Sequence, residues 1–254
     1  MRRLWLSLLL VPVIGVAAPT AAWASPAAPA AKAAPVARSA PAAPASPAAP
    51  AAPARALQVG SKGASVKALQ QRLAALKYYP GAIDGQFGTS TLEAVWAFYE
   101  VQGLPVHSYV SSAMKWALAH PKAPRPLVSR GGANRIEVSL TRHTLVLWRN
   151  NQVQLISHVS TGGHYYYCSP GGGCGYAVTP TGNFSTRVFM RGWVHVPLGE
   201  MYNPVFFIGT AFAIHGDTDV PLAPVSHGCV RIPMDIAAFF HKLVRIPGEP
   251  VYIR

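Results

Sequence analysis

The sequence predicts two folded domains behind a long unstructured lead: a small three-helix domain, then a mainly-β domain of sandwich type with one helix near its C-terminal end. Three observations carry this. Apolar residues recur at helical spacing in three short segments between positions 57 and 120. From position 135 onward, short alternating or clustered apolar runs are separated by turn residues. Ahead of both lies a stretch of nearly pure alanine and proline.

Residues 1–24 read as a secretory signal peptide. Arg2 and Arg3 precede an apolar run from Leu4 to Ala18, and Ala22-Trp23-Ala24 gives a small-x-small cleavage site. The run is too short for a membrane anchor, and no cysteine at the cleavage site offers a lipid attachment point. A chain so processed works in the periplasm or cell wall, with no integral membrane segment after signal removal. Residues 25–54 hold only Lys32 and Arg38 as charges and lack large apolar side chains, so they read as a disordered, partly extended linker.

The formal net charge is +13, of which Arg2 and Arg3 supply two. A basic exported protein is drawn to anionic surfaces. The charges are scattered rather than clustered with aromatics, which argues against nucleic acid as partner.

In the helical domain, 55–121, Val66, Leu69, Leu73 and Leu76 form the stripe of a first helix that begins after Gly63. Asp84 to Gly88 is a tight loop. Ser90, Thr91, Leu92 and Glu93 read as a capping box for a second helix, whose stripe is Leu92, Val95, Trp96 and Tyr99 and whose stop is Gly103 and Pro105. A third helix spans roughly Ser111 to Ala119. Residues 122–133 read as a linker.

In the β domain, 134–254, strands are expected at Arg135 to Leu140, His143 to Trp148 and Gln152 to Ser160, the last two joined by an Asn150-Asn151 hairpin turn. Phe184 to Phe189, Trp193 to Val196, Phe206 to Ile208 and Val251 to Ile253 follow. Ile236, Phe239, Phe240 and Leu243 fall on one face of a helix between Asp235 and Arg245.

The chemistry centres on Ser226-His227-Gly228-Cys229-Val230-Arg231, with Ile214-His215-Gly216 upstream. A thiol attacks as thiolate, and an adjacent imidazole is a usual means of making one. His215 is the expected base, its other ring nitrogen held by the Gly216 carbonyl. His227 is too near Cys229 in sequence for that role and is expected to add a donor or shape the cleft. The amides of Gly228 and Cys229 are expected to form an oxyanion hole. Arg231, with Ser226, is expected to bind substrate, as a guanidinium grips a carboxylate; the alternative is a surface pair with Asp235. Cys168 and Cys174 bracket a flexible Ser-Pro-Gly-Gly-Gly segment. Their pairing leaves Cys229 free, the alternatives being two unrelated thiols or a zinc site with His164 that lacks an evident fourth ligand. No metal or cofactor is expected.

Two resemblances follow. Val59 to Gly63, Val66, Leu69-Gln70, Leu73, the Tyr78-Tyr79-Pro80-Gly81 turn, Asp84 to Gly88, Thr91, Ala94-Val95, Phe98 and Gly103-Leu104 resemble the type 1 peptidoglycan-binding domain. Tyr99 departs from that family's usual glutamine, and His107-Ser108-Tyr109 replaces its Asp-Gly turn. Thr179 to Phe184, Ile214 to Gly216, Ser226 to Ile232, the helix after it and Gly248 to Ile253 resemble the YkuD-type L,D-transpeptidase catalytic domain. The resemblance implies that Cys229 attacks the carbonyl of the third residue of a peptidoglycan stem peptide and expels the terminal D-alanine. An amine on another stem's third residue then takes the thioester, giving a 3→3 cross-link. It also implies peptidoglycan stem peptides and glycan as partners. Two alternatives stay open: an L,D-carboxypeptidase that hydrolyses the same intermediate, and a wall-binding protein with weak activity.

Overall fold

The structure, a computed structural model, describes residues 56–170 and 172–254. The expected signal peptide at 1–24 and the linker at 25–54 lie outside the described residues. No helix among the described residues is long and apolar enough to cross a membrane.

Among the described residues three helices come first: α1 (Ala64–Ala75), α2 (Thr89–Gln102) and α3 (Ser112–Ala119). Gly63 starts α1 at φ 110°, and Val66, Leu69 and Leu73 bury its inner face. Gly103 ends α2 in the left-handed region, φ 67°, with the Leu104 amide bonded back to the Tyr99 carbonyl. Ser111 caps α3 by accepting from the Met114 amide. The expected capping box is absent. Gly88 is the N-cap of α2, and no side chain caps it. Thr91 donates instead to the Pro80 carbonyl at 3.1 Å, and the Ser90 hydroxyl bonds Asp235. Both hydroxyls are drawn outward by tertiary partners that local spacing does not reveal. Tyr99 is fully buried; its hydroxyl donates to the Tyr109 carbonyl, and its ring packs edge-on against His107. The residues that depart from the helical family's pattern thus pack on one another.

Twelve strands and a fourth helix follow: β1 (Arg135–Ser139), β2 (Thr144–Arg149), β3 (Gln152–His158), β4 (Tyr166–Cys168), β5 (Cys174–Tyr176), β6 (Gly182–Ser185), β7 (Val188–Phe189), β8 (Trp193–Val196), β9 (Gly199–Ile208), β10 (Phe212–Asp217), β11 (Val230–Pro233), α4 (Met234–Leu243) and β12 (Pro250–Ile253). One sheet runs β3-β2-β1-β12-β6. A second runs β11-β10-β9-β7, with β8 paired to β9, and β4 and β5 form a separate two-stranded sheet. Ile136, Leu145, Leu147, Val251 and Ile253 of the first sheet meet Val205, Phe207, Ile214, Val230 and Ile232 of the second in one core, closed by Ile236 and Phe240 of α4. The segment Phe184 to Phe189 is not one strand, as its composition predicts. β6 pairs with β12 and β7 with β9, in different sheets. The break falls at Thr186, whose hydroxyl donates to the Arg245 carbonyl and accepts from the Glu249 amide.

Residues 122–133 do not hold the helical and β regions apart. Val146, Trp148 and Ile156 on β2 and β3 join the core of α1, α2 and α3. The Ile156 amide bonds the Lys77 carbonyl at 2.9 Å. Burying side chains of this size is worth about 1.5–3 kcal/mol each. This explains why α2 is buried far beyond one stripe: it has helices on one side and β3 on the other. The 122–133 strap is itself tied down, the Leu127 amide donating to Glu137 at 2.9 Å.

Candidate active site

β10 and β11 run parallel and adjacent, and their register sets His215 opposite Arg231. The turn Ser226 to Cys229 leads into β11. Gly228 has φ 138°, a backbone that only glycine adopts freely. Ser226 is buried, and its hydroxyl is engaged twice: it donates to the Cys229 carbonyl at 2.6 Å and accepts from the Gly228 amide at 3.0 Å. Thr179 braces the same turn from the other side, donating to the Gly228 carbonyl at 2.8 Å while accepting from the Gly162 amide at 2.9 Å. The turn therefore has little freedom, and Cys229 leaves it half-buried with a free thiol.

Cys229, His215, His227, Ser226 and Arg231 line one cavity of about 640 Å³. His215 is buried, and its Nδ1 lies 2.9 Å from the Gly216 carbonyl. A carbonyl only accepts, so Nδ1 carries the hydrogen and Nε2 keeps its lone pair. A Cβ at Gly216 would meet Ala237 Cβ at 2.6 Å, so glycine is what lets β10 pack on α4 here.

The family model described as the L,D-transpeptidase catalytic domain matches residues 133–253, and the peptidoglycan binding domain matches residues 62–114. The solved structure of an L,D-transpeptidase from Xylanimonas cellulosilytica is 32% identical, with 81% of this chain and 100% of that chain covered and a TM-score of 0.74. The chain belongs to the L,D-transpeptidase family. An L,D-transpeptidase from Stackebrandtia nassauensis matches at 20% identity over 80% of this chain and 97% of that one, with a TM-score of 0.45. No curated protein sequence matches the chain.

Within this L,D-transpeptidase the electrostatics of the pair differ from the expectation of a standing thiolate. Burial raises the Cys229 thiol above its ordinary value, against smaller opposing effects of the Ala213 N–H and Arg231. Burial also lowers His215, with Arg231 adding to the effect and the Gly216 carbonyl and Asp217 opposing it. Both groups are neutral at rest, because neither charge is well solvated in the cavity wall.

The remaining expected site residues divide. The Gly228 amide is committed to Ser226, which removes it as an oxyanion donor. The Cys229 amide has no hydrogen-bond acceptor among the described residues. Ser226 shapes the turn with its hydroxyl, whose proton is committed to the Cys229 carbonyl and is not available to donate to a ligand. Arg231 pairs with Asp217 at 3.0 Å, not with Asp235, and its Nη1 donates to the Asp219 carbonyl at 3.3 Å. His227 is gripped edge-on by Tyr167 at 4.7 Å and Tyr165 at 5.6 Å. Tyr167 lies on β4 and Tyr165 just before it, and a Cys168–Cys174 disulfide closes the β4–β5 hairpin.

Sequence reasoning missed Thr179 as part of this site. Thr179 sits in a quoted family motif, so its position was visible but not its bonds. Tyr167 lies in a run of three tyrosines whose alternation puts Tyr166 out at 68% exposure and Tyr167 toward the cavity.

Proposed function

We propose that the chain is an exported cysteine acyltransferase that forms 3→3 cross-links between peptidoglycan stem peptides through a Cys229 thioester. The observation that supports this is one cavity lined by both Cys229 and His215, with the imidazole tautomer set by the Gly216 carbonyl. As the sulfur attacks the carbonyl carbon of the donor's third stem residue, its proton passes to His215 Nε2. The oxyanion is received by the Cys229 amide. The C–N bond to D-alanine breaks, His215 returns the proton to the leaving amine, and the thioester remains. An amine on a second stem then attacks; His215 takes its proton and passes it to the departing sulfur. Proton transfer accompanies attack, since both partners start neutral. Arg231, already oriented by Asp217 and Asp219, receives a carboxylate of the donor. The scheme calls for no cofactor.

The helical module holds the enzyme on its polymeric substrate. Export to the periplasm or wall is part of the proposal. It is supported by the pattern of residues 1–24 and by the Cys168–Cys174 bond, which persists in oxidising compartments.

The test is product analysis with purified disaccharide-tetrapeptide muropeptides. The expected products are 3→3 dimers with one D-alanine released per dimer. Tripeptide monomers and D-alanine without dimers make the chain an L,D-carboxypeptidase; no D-alanine at all refutes both.

A further inference from the structure

Glu100 on α2 and His158 on β3 meet across the seam between the helical module and the first sheet. Both are buried, and the chemistry above uses neither. His158 Nδ1 stands 3.0 and 3.1 Å from the two Glu100 carboxyl oxygens, and its Nε2 stands 3.1 Å from the Pro221 carbonyl. The carbonyl accepts, so Nε2 carries a hydrogen. A second proton lies between Nδ1 and Glu100, and whichever partner holds it the two are joined by a strong, directed bond. Burial pushes Glu100 up to about 7, with His158 opposing. Burial pulls His158 down, but the hydrogen bond and charge of Glu100 outweigh it and the net direction is upward. Trp96 covers the imidazole edge-on at 5.4 Å.

Pro221 closes a five-residue segment that does a second job. Asp217 pairs with Arg231 Nε, and the Asp219 carbonyl accepts from Arg231 Nη1. The Asp219 amide donates to Asp217 at 3.0 Å, which folds the segment on itself. Further along, Ser160, two residues beyond the end of β3, donates to the Ala223 carbonyl at 2.9 Å. Contacts therefore run from Glu100 through His158 to Pro221, the backbone carries the link from Pro221 to Asp219, and Asp219 and Asp217 contact Arg231, which lines the cavity.

We propose that His158, held by Glu100, is a positioning residue for Arg231: the helical module sets the Asp217–Pro221 segment and, through it, the cation that receives the acyl donor. The peptidoglycan-binding-like module is then a working part of the cleft as well as a wall anchor. The inference rests on the reading of Arg231 as a donor ligand.

The test compares two partial mimics of His158 in the full mature chain, with a soluble tetrapeptide stem as donor. His158→Asn keeps a donor near Glu100 and loses the reach to Pro221. His158→Gln keeps the reach to Pro221. The expected result is a KM about tenfold higher for His158→Asn with kcat nearly unchanged, the effect of misplacing one charge-assisted contact, and a KM near wild type for His158→Gln. In an Arg231→Lys background His158→Asn should add nothing. A folded His158→Asn variant with wild-type KM, or effects that multiply in the double variant, overturns the proposal. Arg231→Lys with wild-type KM overturns it at its last link and removes Arg231 from donor binding, while acylation of Cys229 remains as a separate finding. Should His158→Asn not fold, Glu100→Gln carries the test by hydrogen exchange: faster exchange confined to the amides of 217–220 supports the coupling, and unchanged exchange overturns it.

Discussion

Replacing Gly228 by alanine probes the turn that presents the nucleophile. The residue has φ 138°, and a Cβ there would lie 2.6 Å from Phe212 Cε1 and 2.8 Å from the Val178 carbonyl oxygen. The phenyl ring can rotate away. The carbonyl cannot, because the next residue, Thr179, is bonded to both Gly228 and Gly162. Holding a non-glycine residue at this φ costs about 1–3 kcal/mol. The overpacking costs about 1–3 kcal/mol more. If the turn gives way instead, it loses the bonds of Gly228 to Ser226 and Thr179, and Cys229 moves with it. A shift of about 1 Å at a reacting atom costs on the order of a hundredfold in rate. Gly228→Ala should therefore melt roughly 5–20 °C lower and acylate about a hundredfold more slowly. Thermal unfolding and time-resolved intact-protein mass spectrometry read the two effects. A variant with wild-type melting and wild-type acylation refutes the reasoning.

Three further outcomes are expected. The pH profile of acylation should have an acid limb with its midpoint below 6.5, since His215 must be neutral and burial holds it down; a midpoint above 6.5 contradicts this. Ser226→Ala strands the Gly228 amide and the Cys229 carbonyl, each at about 1–3 kcal/mol, and should slow acylation by about ten- to a hundredfold; rates measured on the folded variant decide. Burial pushes Glu93 up from 4.5 to about 7, so the folded state binds its proton more tightly than the unfolded state. Its contribution is full below about pH 4.5 and is lost as pH rises through about 7. Glu93→Gln should thus gain stability over wild type between pH 5 and pH 8, on the order of 2–3 kcal/mol in urea unfolding, and an equal difference at both pH values contradicts the sign.

What could be read from the sequence follows the range of the interactions involved. The stripe of α1, the span of α3, the Asn150-Asn151 turn and the α4 face are local patterns, and each element lies within a residue or two of its expected place. The bond from His215 to Gly216 was legible for the same reason: it joins neighbours. Ser90, Thr91 and Thr186 were misread because a hydroxyl's partner is decided by tertiary proximity, here Asp235, Pro80 and Arg245. The burial of Glu100 beside His158, 58 positions apart, leaves no periodic mark at all. Gly228 shows the limit most clearly. Its type signals an unusual backbone, but only the positions of Ser226 and Thr179 reveal that its amide and carbonyl are both taken.

The central claim is that a single sulfur carries the acyl group. Intact-protein and peptide mass spectrometry after incubation with a tetrapeptide stem measures this directly. The account predicts one adduct, of the donor's mass less D-alanine, located on Cys229 and absent from Cys229→Ala. An adduct on any other residue, or full turnover by Cys229→Ala, would contradict it.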